Sequence, residues 1–416
     1  MAKVTSKSLV SVQEAASRLN VSPDTIRRWE KKGLIKASKG AHGERLFSTE
    51  EISRVNVKGS TSDKPWKVLS APKVNLNSIE LFCGAGGLAL GMHNAGIKSE
   101  LLVDFDRDSI STIKQNRPKW NTVCASVLDM DLKEYFGKID IMAGGFPCQA
   151  FSYAGKSLGF ADTRGTLFYE YARLIDQVRP KLVLGENVKG LLNHDNGRTL
   201  AVIVKQLEEL GYRVAYRVLR AQFLDVPQKR ERLIIFGLRH DVDSPIYFPV
   251  EKDYTISLRA ALKSVPSSPG QEYSARKKEI MKLIPEGGYW RDLPQRIQKE
   301  FMGKSFYLGG GKTGMARRLA WSEPSLTLTC NPAQKQTERC HPRETRPLTV
   351  REYARIQTFP DEWQFSGSTS SQYRQIGNAV PVNLGFHIGL AMRKMLGAPT
   401  KLSADASVLE AVRING

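Results

Sequence analysis

The stretch "IELFCGAGGLALG", residues 79–91, joins a short apolar run to a glycine-rich turn and the start of a helical pattern. Gly84, Gly86 and Gly87 allow the backbone to turn tightly and to approach a ligand, with a helix N-terminus behind them. Asp104 closes the next apolar run about 20 residues later, where a carboxylate can accept hydrogen bonds from ribose hydroxyls. The turn has neither a P-loop lysine nor a GxGxxG spacing. Alone it indicates only a tight strand-to-helix connection, but together with the acidic residue it predicts a nucleoside-like cofactor.

Apolar runs of this kind recur downstream and alternate with helical stretches. Fully apolar strands between helices are typical of a parallel sheet that is covered on both faces. In such sheets ligands bind outside the carboxyl ends of the strands, so the residues that follow each run are the candidate site residues. The runs are "SIELF", "SELLVDF", "IDIMAGG", "KLVLGENV", "YRVAYRVL" and "RLIIFGL".

One cysteine follows the run "IDIMAGG", within the segment "GGFPCQAFS" at residues 144–152. Cys148 stands where a strand ends and a helix is expected to begin, so backbone N–H groups can stabilise its thiolate. Pro147 stiffens the entry to this segment. A cysteine in such a place is as often an inert, small apolar residue, so the segment alone leaves both interpretations open.

Polar residues also follow two later runs. Glu186 and Asn187 come after "KLVLG", and a carboxyl group at that end of a strand can share a proton or form a structural salt bridge. Gln228, Arg230 and Arg232 alternate along an incoming strand and therefore share one face. The guanidinium groups could hold Glu186, a base oxygen or a phosphate. Together with the cysteine and the nucleoside site, this set fits methyl transfer to a pyrimidine base.

Six ordered blocks of the sequence resemble the DNA (cytosine-5)-methyltransferase family. The resemblance implies an α/β, Rossmann-like S-adenosylmethionine-dependent methyltransferase fold with a smaller target-recognition domain. It also implies S-adenosyl-L-methionine as methyl donor and double-stranded DNA as substrate, with the target cytosine flipped out of the duplex. The blocks cover residues 79 to about 395 and read "IELFCGAGGLALG", "GGFPCQAFS", "GENVKGLL", "PQKRERLIIFG", "RPLTVREYARIQTFPDEW" and "QIGNAVP".

The resemblance assigns roles to individual residues. Cys148 would attack carbon 6 of cytosine, Glu186 would hydrogen-bond or protonate ring nitrogen 3, and Arg232 would contact the carbonyl oxygen. Arg230 and Asn187 would organise the site. The residues expected to bind the cofactor are Phe82, Gly84, Gly86, Gly87, Asp104, Phe105, Ser126, Pro147, Asn378 and Ala379.

The sequence departs from the family at one cofactor contact. The family usually has an acidic residue after the third strand, where it contacts the adenine amino group. Here the segment "CASVLDMD" has Ser126 near that place and Asp129 slightly downstream. Both residues are therefore candidates for the contact.

The segment 241–345 is, by the same resemblance, a target-recognition domain that reads bases in the major groove and holds phosphates. Within it and its border, residues 271–346 contain fifteen basic and eight acidic residues. Which bases the segment reads stays open. The residues of this segment and of the catalytic blocks that we expect to contact DNA are Ser152, Gln228, Arg317, Arg318 and Arg339.

The N-terminal residues have a different pattern. "SVQEAASRL" has helical spacing, and "DTIRRWEKKG" predicts a second helix that carries Arg27 and Arg28. "STEE", residues 48–51, is a capping box that opens another helix. The order resembles the winged helices of MerR-type regulators, so Arg27 and Arg28 are expected to contact DNA. A small helical module that binds another protein is the alternative.

Composition favours nucleic acid as the partner. The 416 residues include 62 basic and 42 acidic residues, a net charge of +20, which predicts a polyanionic partner. No apolar run approaches the roughly 20 residues of a membrane span. Five scattered cysteines without CxxC pairing predict neither disulfides nor a metal site. We therefore expect a cytoplasmic, nucleoid-associated protein without membrane or metal partners.

The blocks and the composition together predict the partners of the chain and its division into segments. We expect a monomer on its target DNA, accompanied by a restriction endonuclease that acts separately. We also expect an N-terminal domain that regulates transcription of its own operon. The expected segments are a helix-turn-helix domain at 1–57, a linker at 58–77, a catalytic and cofactor-binding domain at 78–240, the target-recognition domain at 241–345, a return to the catalytic domain at 346–400, and a C-terminal tail at 401–416.

Two other functions compete with this interpretation. An RNA cytosine-5 methyltransferase would carry the same blocks, but the long recognition segment and the helix-turn-helix favour duplex DNA. A winged-helix regulator with an inactive methyltransferase domain is the second alternative. The presence of the cysteine, the glutamate and both arginines argues against it.

Overall fold

The structure is a computed structural model of the chain, which groups into two units, residues 1–62 with 252–255, and residues 63–251 with 256–416. The residues that it describes are 9–19, 26–27, 29–30, 35–40, 45–49, 51–52, 60–62, 64–147, 167–307, 313–400 and 409–412.

The smaller unit has a three-stranded antiparallel sheet with the order β1-β3-β2. Seven buried apolar residues, among them Ile26, Ile35 and Phe47, form its core. Ser48 Oγ accepts a hydrogen bond from Glu51 N at 3.1 Å, which is the contact that the "STEE" capping motif predicts. Its described elements are β1 (Leu9–Ser11), α1 (Val12–Arg18), β2 (Ser38–Lys39), β3 (Arg45–Ser48) and β4 (Ser60–Ser62).

The larger unit contains a seven-stranded sheet, and its described strands alternate with helices along the chain. The seven strands of this sheet are β5 (Asn77–Leu81), β6 (Lys98–Asp104), β7 (Thr122–Cys124), β8 (Ile141–Gly144), β9 (Leu182–Val188), β10 (Tyr212–Arg220) and β12 (Glu231–Arg239). Five short strands lie outside it, of which β14 begins within residues 252–255 of the smaller unit: β11 (Gln228–Lys229), β13 (Ile246–Pro249), β14 (Tyr254–Ile256), β15 (Ser325–Leu326) and β16 (Leu409–Val412). The helices are α2 (Gly87–Asn94), α3 (Arg107–Asn116), α4 (Leu167–Val178), α5 (Arg198–Glu209), α6 (Leu258–Leu262), α7 (Ala275–Lys282), α8 (Gln295–Met302), α9 (Val350–Ile356), α10 (Thr369–Asn378) and α11 (Val382–Met395).

The strand order is β10-β12-β9-β8-β5-β6-β7. The five strands from β9 to β7 are parallel to one another, whereas β12 is antiparallel to both of its neighbours. The parallel sheet that the sequence predicts is thus present in five strands, and β12 makes the whole sheet mixed. Only residues 221–230 connect β10 to β12, and a parallel return needs a crossover of a dozen or more residues.

Two apolar layers cover the two faces of the sheet. Ile234 and Phe236 of β12 pack with α2 and α11 in one layer. Leu233 and Ile235 pack with α4 and α5 in the other. This alternation is the two-residue period of a strand that is buried on both faces, and it explains the continuous apolar runs in the sequence.

Helices α2 and α11 approach each other closely where Gly91 faces Gly385. A Cβ added at Gly91 of α2 would lie 2.6 Å from the Cα of Gly385 in α11. Such contact requires glycine, because real Cβ atoms are not found so close to backbone. The packing brings the "GNAVP" segment, which precedes α11, next to the glycine-rich turn that precedes α2.

The region between β12 and α9 contributes to three apolar clusters. Ile246 and Phe248 of β13 pack into the core of the large sheet, and β13 pairs with β16 near the C-terminus. A smaller apolar cluster, which runs from Tyr273 to Cys340, includes residues of α7 and α8. The predicted recognition segment 241–345 therefore begins with a strand whose apolar side chains are buried in the core of the large sheet.

Candidate active site

A cavity of about 680 Å³ lies at the carboxyl ends of the parallel strands, where the sequence predicts a ligand site. It brings together residues that are far apart along the chain and that the sequence predicts to bind the cofactor or to act in catalysis. The predicted residues that line it are Phe82, Gly84, Gly87, Asp104, Phe105, Pro147, Glu186, Asn187, Arg232, Asn378 and Ala379.

The cofactor side of the cavity is built on the glycine-rich turn. Phe82 has a φ of 57°, and Gly84 and Gly86 have φ values of 51° and 83°, so the strand ends in left-handed backbone that is costly for a phenylalanine. Asp104 accepts hydrogen bonds from Gly84 N at 2.8 Å and Asp106 N at 2.9 Å. Burial raises the pKa of the Asp104 carboxyl, and these N–H groups oppose the rise. Asp104 therefore holds the turn in the shape that faces the cavity.

The catalytic side of the cavity contains a carboxylate and a guanidinium in contact. Glu186 Oε1 lies 2.7 Å from Arg232 Nε, and the two side chains are 13% and 12% exposed. Gly145 leaves room for this carboxylate, since a Cβ there would lie 3.3 Å from Glu186 Oε2. The pair is partly buried and still open to the cavity. A ligand there can therefore contact both a negatively charged and a positively charged group.

Asn187 and Arg230 donate hydrogen bonds to backbone carbonyls of the segments that surround this pair. Asn187 Nδ2 donates to Phe146 O at 2.9 Å, which holds the residues immediately before Cys148. Arg230 is 1% exposed and donates to Gly377 O at 2.9 Å and Ala379 O at 3.0 Å. Burial, and next the charge of Arg232, lower the pKa of Arg230 well below its usual value.

The family model described as C-5 cytosine-specific DNA methylase matches residues 76–394. The chain belongs to this family. A second model, the MerR family regulatory protein, matches residues 11–47. The family, the Rossmann-like fold and the MerR resemblance predicted from the sequence are thereby confirmed.

Several relatives cover almost the whole chain. The chain is 53% identical to the Type II methyltransferase M.Eco47II of Escherichia coli over 93% of its own length and 95% of that protein. It is 53% identical to M.Sau96I of Staphylococcus aureus over 76% and 75% of the two chains. Since the first alignment leaves only about 29 residues of this chain outside, it extends into the N-terminal unit.

A solved structure supports the fold. A prophage-encoded E. coli protein described as a DNA modification methyltransferase superposes with a TM-score of 0.58 at 24% identity, over 78% of this chain and all of that one. The chain is a DNA (cytosine-5)-methyltransferase that uses S-adenosyl-L-methionine, as the sequence predicts. The cavity fits this cofactor, because a glycine-rich turn and two acidic side chains, Glu80 and Asp104, line the same space.

Two predicted cofactor residues do not line the cavity. Gly86 lies behind the turn, where a Cβ would be 3.2 Å from Ile113. Ser126 caps a short 3₁₀ turn by accepting from Leu128 N at 3.3 Å. Neither Ser126 nor Asp129 is among the residues that line the cavity, so the adenine contact of either residue stays a prediction.

The structure corrects three of the expected DNA contacts. Gln228 is fully buried, and its amide bonds to Gln357 Oε1 and Leu328 N. Arg318 and Arg339 are 4% and 5% exposed. Arg318 donates to four backbone carbonyls, including Met281 O at 2.7 Å. These groups are bonded inside the protein, so they stabilise loops instead of reaching DNA.

Of the other residues with an expected role at DNA or at the base, the structure describes only some. Arg317 is 16% exposed and lies 3.6 Å from Glu323, and Arg27 is exposed on a helix of the N-terminal unit. Cys148, Ser152 and Arg28 lie outside the described residues. Their roles therefore stay predictions from the sequence.

The cavity also contains residues that the sequence interpretation missed. Arg374 lies 2.9 Å from Asp106 Oδ2, and both line the cavity beside Asp104. Arg374 precedes Asn378 by four residues on α10, so a common helical face was the available signal. Glu80 was signalled by its charge within the apolar run "SIELF".

Among the described residues, no group of three or more His, Cys, Asp or Glu side chains could hold a metal ion. In the same residues, no helix is both long and apolar enough to cross a membrane.

Proposed function

We propose that this enzyme methylates carbon 5 of one cytosine within a specific DNA sequence, after flipping that base out of the duplex and binding it covalently to Cys148. The observation that carries the proposal is the Glu186–Arg232 pair, which faces the same cavity as the cofactor turn. A base that enters this cavity meets a carboxyl group and a guanidinium beside the cofactor. Flipping is needed because neither group can reach a base that is stacked in a duplex.

The residues divide the chemistry between them. Carbon 5 of cytosine is a poor nucleophile, and attack of the Cys148 thiolate on carbon 6 makes carbon 5 electron-rich. Glu186 donates a proton or a hydrogen bond to ring nitrogen 3 as negative charge develops there, and Arg232 holds the carbonyl oxygen. When bound, S-adenosyl-L-methionine supplies an electrophilic methyl group. Loss of the carbon 5 proton and departure of the Cys148 sulfur then release the methylated base.

Bisulfite sequencing of DNA from cells that express the protein tests the activity and gives the target site. Cys148→Ser should abolish methylation, and its purified form should form no covalent adduct with duplex DNA that contains 5-fluorocytosine at the target. Cys124→Ser, which alters an exposed thiol, should retain both properties. Substantial turnover by Cys148→Ser would refute the covalent step, and methylation of transfer RNA instead of duplex DNA would favour the RNA alternative.

A restriction system is the cellular setting that the relatives favour. M.Eco47II and M.Sau96I are named Type II methyltransferases, and this chain would protect nucleoid DNA from a separately acting endonuclease. The test is digestion of plasmid DNA from expressing cells with Type II endonucleases whose sites contain the mapped cytosine. Complete cleavage by every such endonuclease would contradict a protective role.

The N-terminal unit would bind a different DNA site, such as the promoter of its own operon. Its MerR match, its small core and the exposed Arg27 support this role. Methylation needs no such unit, because the cavity residues all belong to residues 63–251 and 256–416. Promoter binding that is unchanged after deletion of residues 1–60 would contradict the proposal.

A further inference from the structure

Glu80 is a buried acid that none of the roles above uses. It lies on the central strand β5, lines the active-site cavity and is 3% exposed. Its Oε2 atom is buried and has no hydrogen-bond partner among the residues that the structure describes. Burying a carboxylate oxygen without a partner costs several kcal/mol unless the group is neutral or a cation arrives.

The groups that surround Glu80 in the described structure are acidic or neutral. Asp104 approaches from β6 and Glu186 from β9, and the Cys83 thiol follows on the same segment. Tyr171 of α4 is also buried nearby, with its hydroxyl donated to backbone carbonyls. Burial raises the pKa of Glu80 well above its usual value, and the charges of Asp104 and Glu186 add to the rise.

The nearby arginines do not offset this acidity. Arg232 pairs with Glu186, and Arg230 bonds to backbone carbonyls. In the described part of the chain, Glu80 forms no ion pair with a basic side chain. No described cation lowers its pKa. Burial and the like charges around it therefore favour the neutral form of Glu80 when the cavity holds no cation.

We propose that Glu80 is a neutral acid in the cofactor-free enzyme and ionises when the positively charged cofactor enters, so that cofactor binding releases one proton. S-adenosyl-L-methionine carries a sulfonium and an ammonium group, and a cation within a few ångströms favours the charged form of a carboxyl group. The O–H bond of Glu80 breaks, its electron pair stays on the carboxylate, and the proton passes to the buffer.

Asp104 is the obvious rival source of the proton. Its two oxygens accept hydrogen bonds from Gly84 N and Asp106 N, which stabilise its charged form before any ligand binds. Within the described ranges, Glu80 Oε2 has no such donor. The proposal rests on the cofactor of the family and is independent of the covalent step at Cys148.

Calorimetric titration of the full-length enzyme with S-adenosyl-L-methionine, in buffers of different ionisation enthalpy, counts the protons. The wild type should release close to one proton near pH 7. Because binding expels a proton, affinity should rise with pH, by up to about tenfold per pH unit while Glu80 is protonated before binding. Glu80→Gln should bind without proton release and without this pH dependence.

Three controls make the outcome decisive. Glu186→Gln and Asp104→Asn each remove one charge that raises the pKa of Glu80, but they leave its burial, the larger cause, in place. Both variants should therefore keep the proton release, whatever their affinity. S-adenosylhomocysteine lacks the sulfonium: release with both ligands assigns the coupling to the ammonium, and release with S-adenosyl-L-methionine alone assigns it to the sulfonium. Either pattern supports the proposal. No release by the wild type, or release that persists in Glu80→Gln, overturns it.

A second measurement covers the case in which Glu80→Gln does not fold. Infrared difference spectra of the wild type should show a protonated carboxyl band that disappears when the cofactor binds. The band should shift in protein labelled with ¹³C at glutamate carboxyls and stay unshifted in protein labelled at aspartate. Absence of the band, or its assignment to aspartate, refutes the role of Glu80.

Discussion

At the scale of single residues, the Glu186–Arg232 contact is the feature with the largest expected effect on catalysis. Arg232→Ala leaves a partly buried carboxylate without its partner at 2.7 Å and removes a donor from the base. We expect kcat to fall by about 100-fold or more, whereas the dissociation constant of the cofactor changes little. Single-turnover methylation and equilibrium cofactor binding measure the two quantities separately.

Arg198→Ala is the matched control for this substitution. Arg198 also pairs with a carboxylate, Asp195 at 2.6 Å, but its side chain is 71% exposed, and exposed pairs contribute little. Its kcat should stay within about twofold of the wild type. A similarly small loss in Arg232→Ala would mean that Arg232 does not act on the reacting base.

The two sides of the site were not equally predictable from single residues. Asp104 and Glu186 each follow the apolar run of a strand, and the carboxyl ends of parallel strands meet at one edge, so the sequence predicts that they lie close together. Arg318 and Arg339 lie in a segment without clear periodicity, where charge suggested exposure. Their burial depends on carbonyls such as Met281 O and Thr327 O, which only the folded loops bring together.

At the scale of elements, the glycine-rich turn and the segment before α11 lie too close together to admit a side chain at Gly87. A Cβ at Gly87 would lie 2.3 Å from Val380 O. Gly87→Ala must therefore displace backbone, and we expect it to lower the free energy of unfolding by about 1–3 kcal/mol. Cofactor affinity should also fall, because Asn378 and Ala379 line the cavity beside this contact.

Gly190→Ala separates this effect from the general effect of losing a glycine. The nearest atom to a Cβ there is Val188 Cγ2 at 3.9 Å, so the change should alter stability by no more than about 0.5 kcal/mol. Chemical denaturation and cofactor titration of both variants give the comparison. Equal stability of the two variants would show that the turn can move away without cost.

The elements also differ in how far the sequence predicts them. The parallel strands and their covering helices follow from apolar runs and helical spacing. The reversal of β12 does not, since both directions satisfy the same apolar pattern. The length of the connection at 221–230 was the available signal, because it is too short for a helical crossover.

At the scale of the whole molecule, the net charge of +20 is divided between two units with different expected DNA sites. Residues 1–60 contain twelve basic and six acidic residues. Deleting them leaves residues 252–255 of the same unit behind, so a point variant is the cleaner test. Substituting Arg27 and Arg28 together by alanine keeps the unit complete.

We expect this double variant to lose promoter binding and to keep methylation of an oligonucleotide substrate within about twofold. If both side chains contact phosphates, the slope of log K against log salt for promoter DNA should become shallower by about 2. The slope for the methylation target should not change, because that DNA is bound by the other unit. Fluorescence anisotropy over a salt series, with both DNAs and both proteins, measures the four slopes. An equal change for the two DNAs would show that the N-terminal unit holds DNA without distinguishing a promoter from the methylation target.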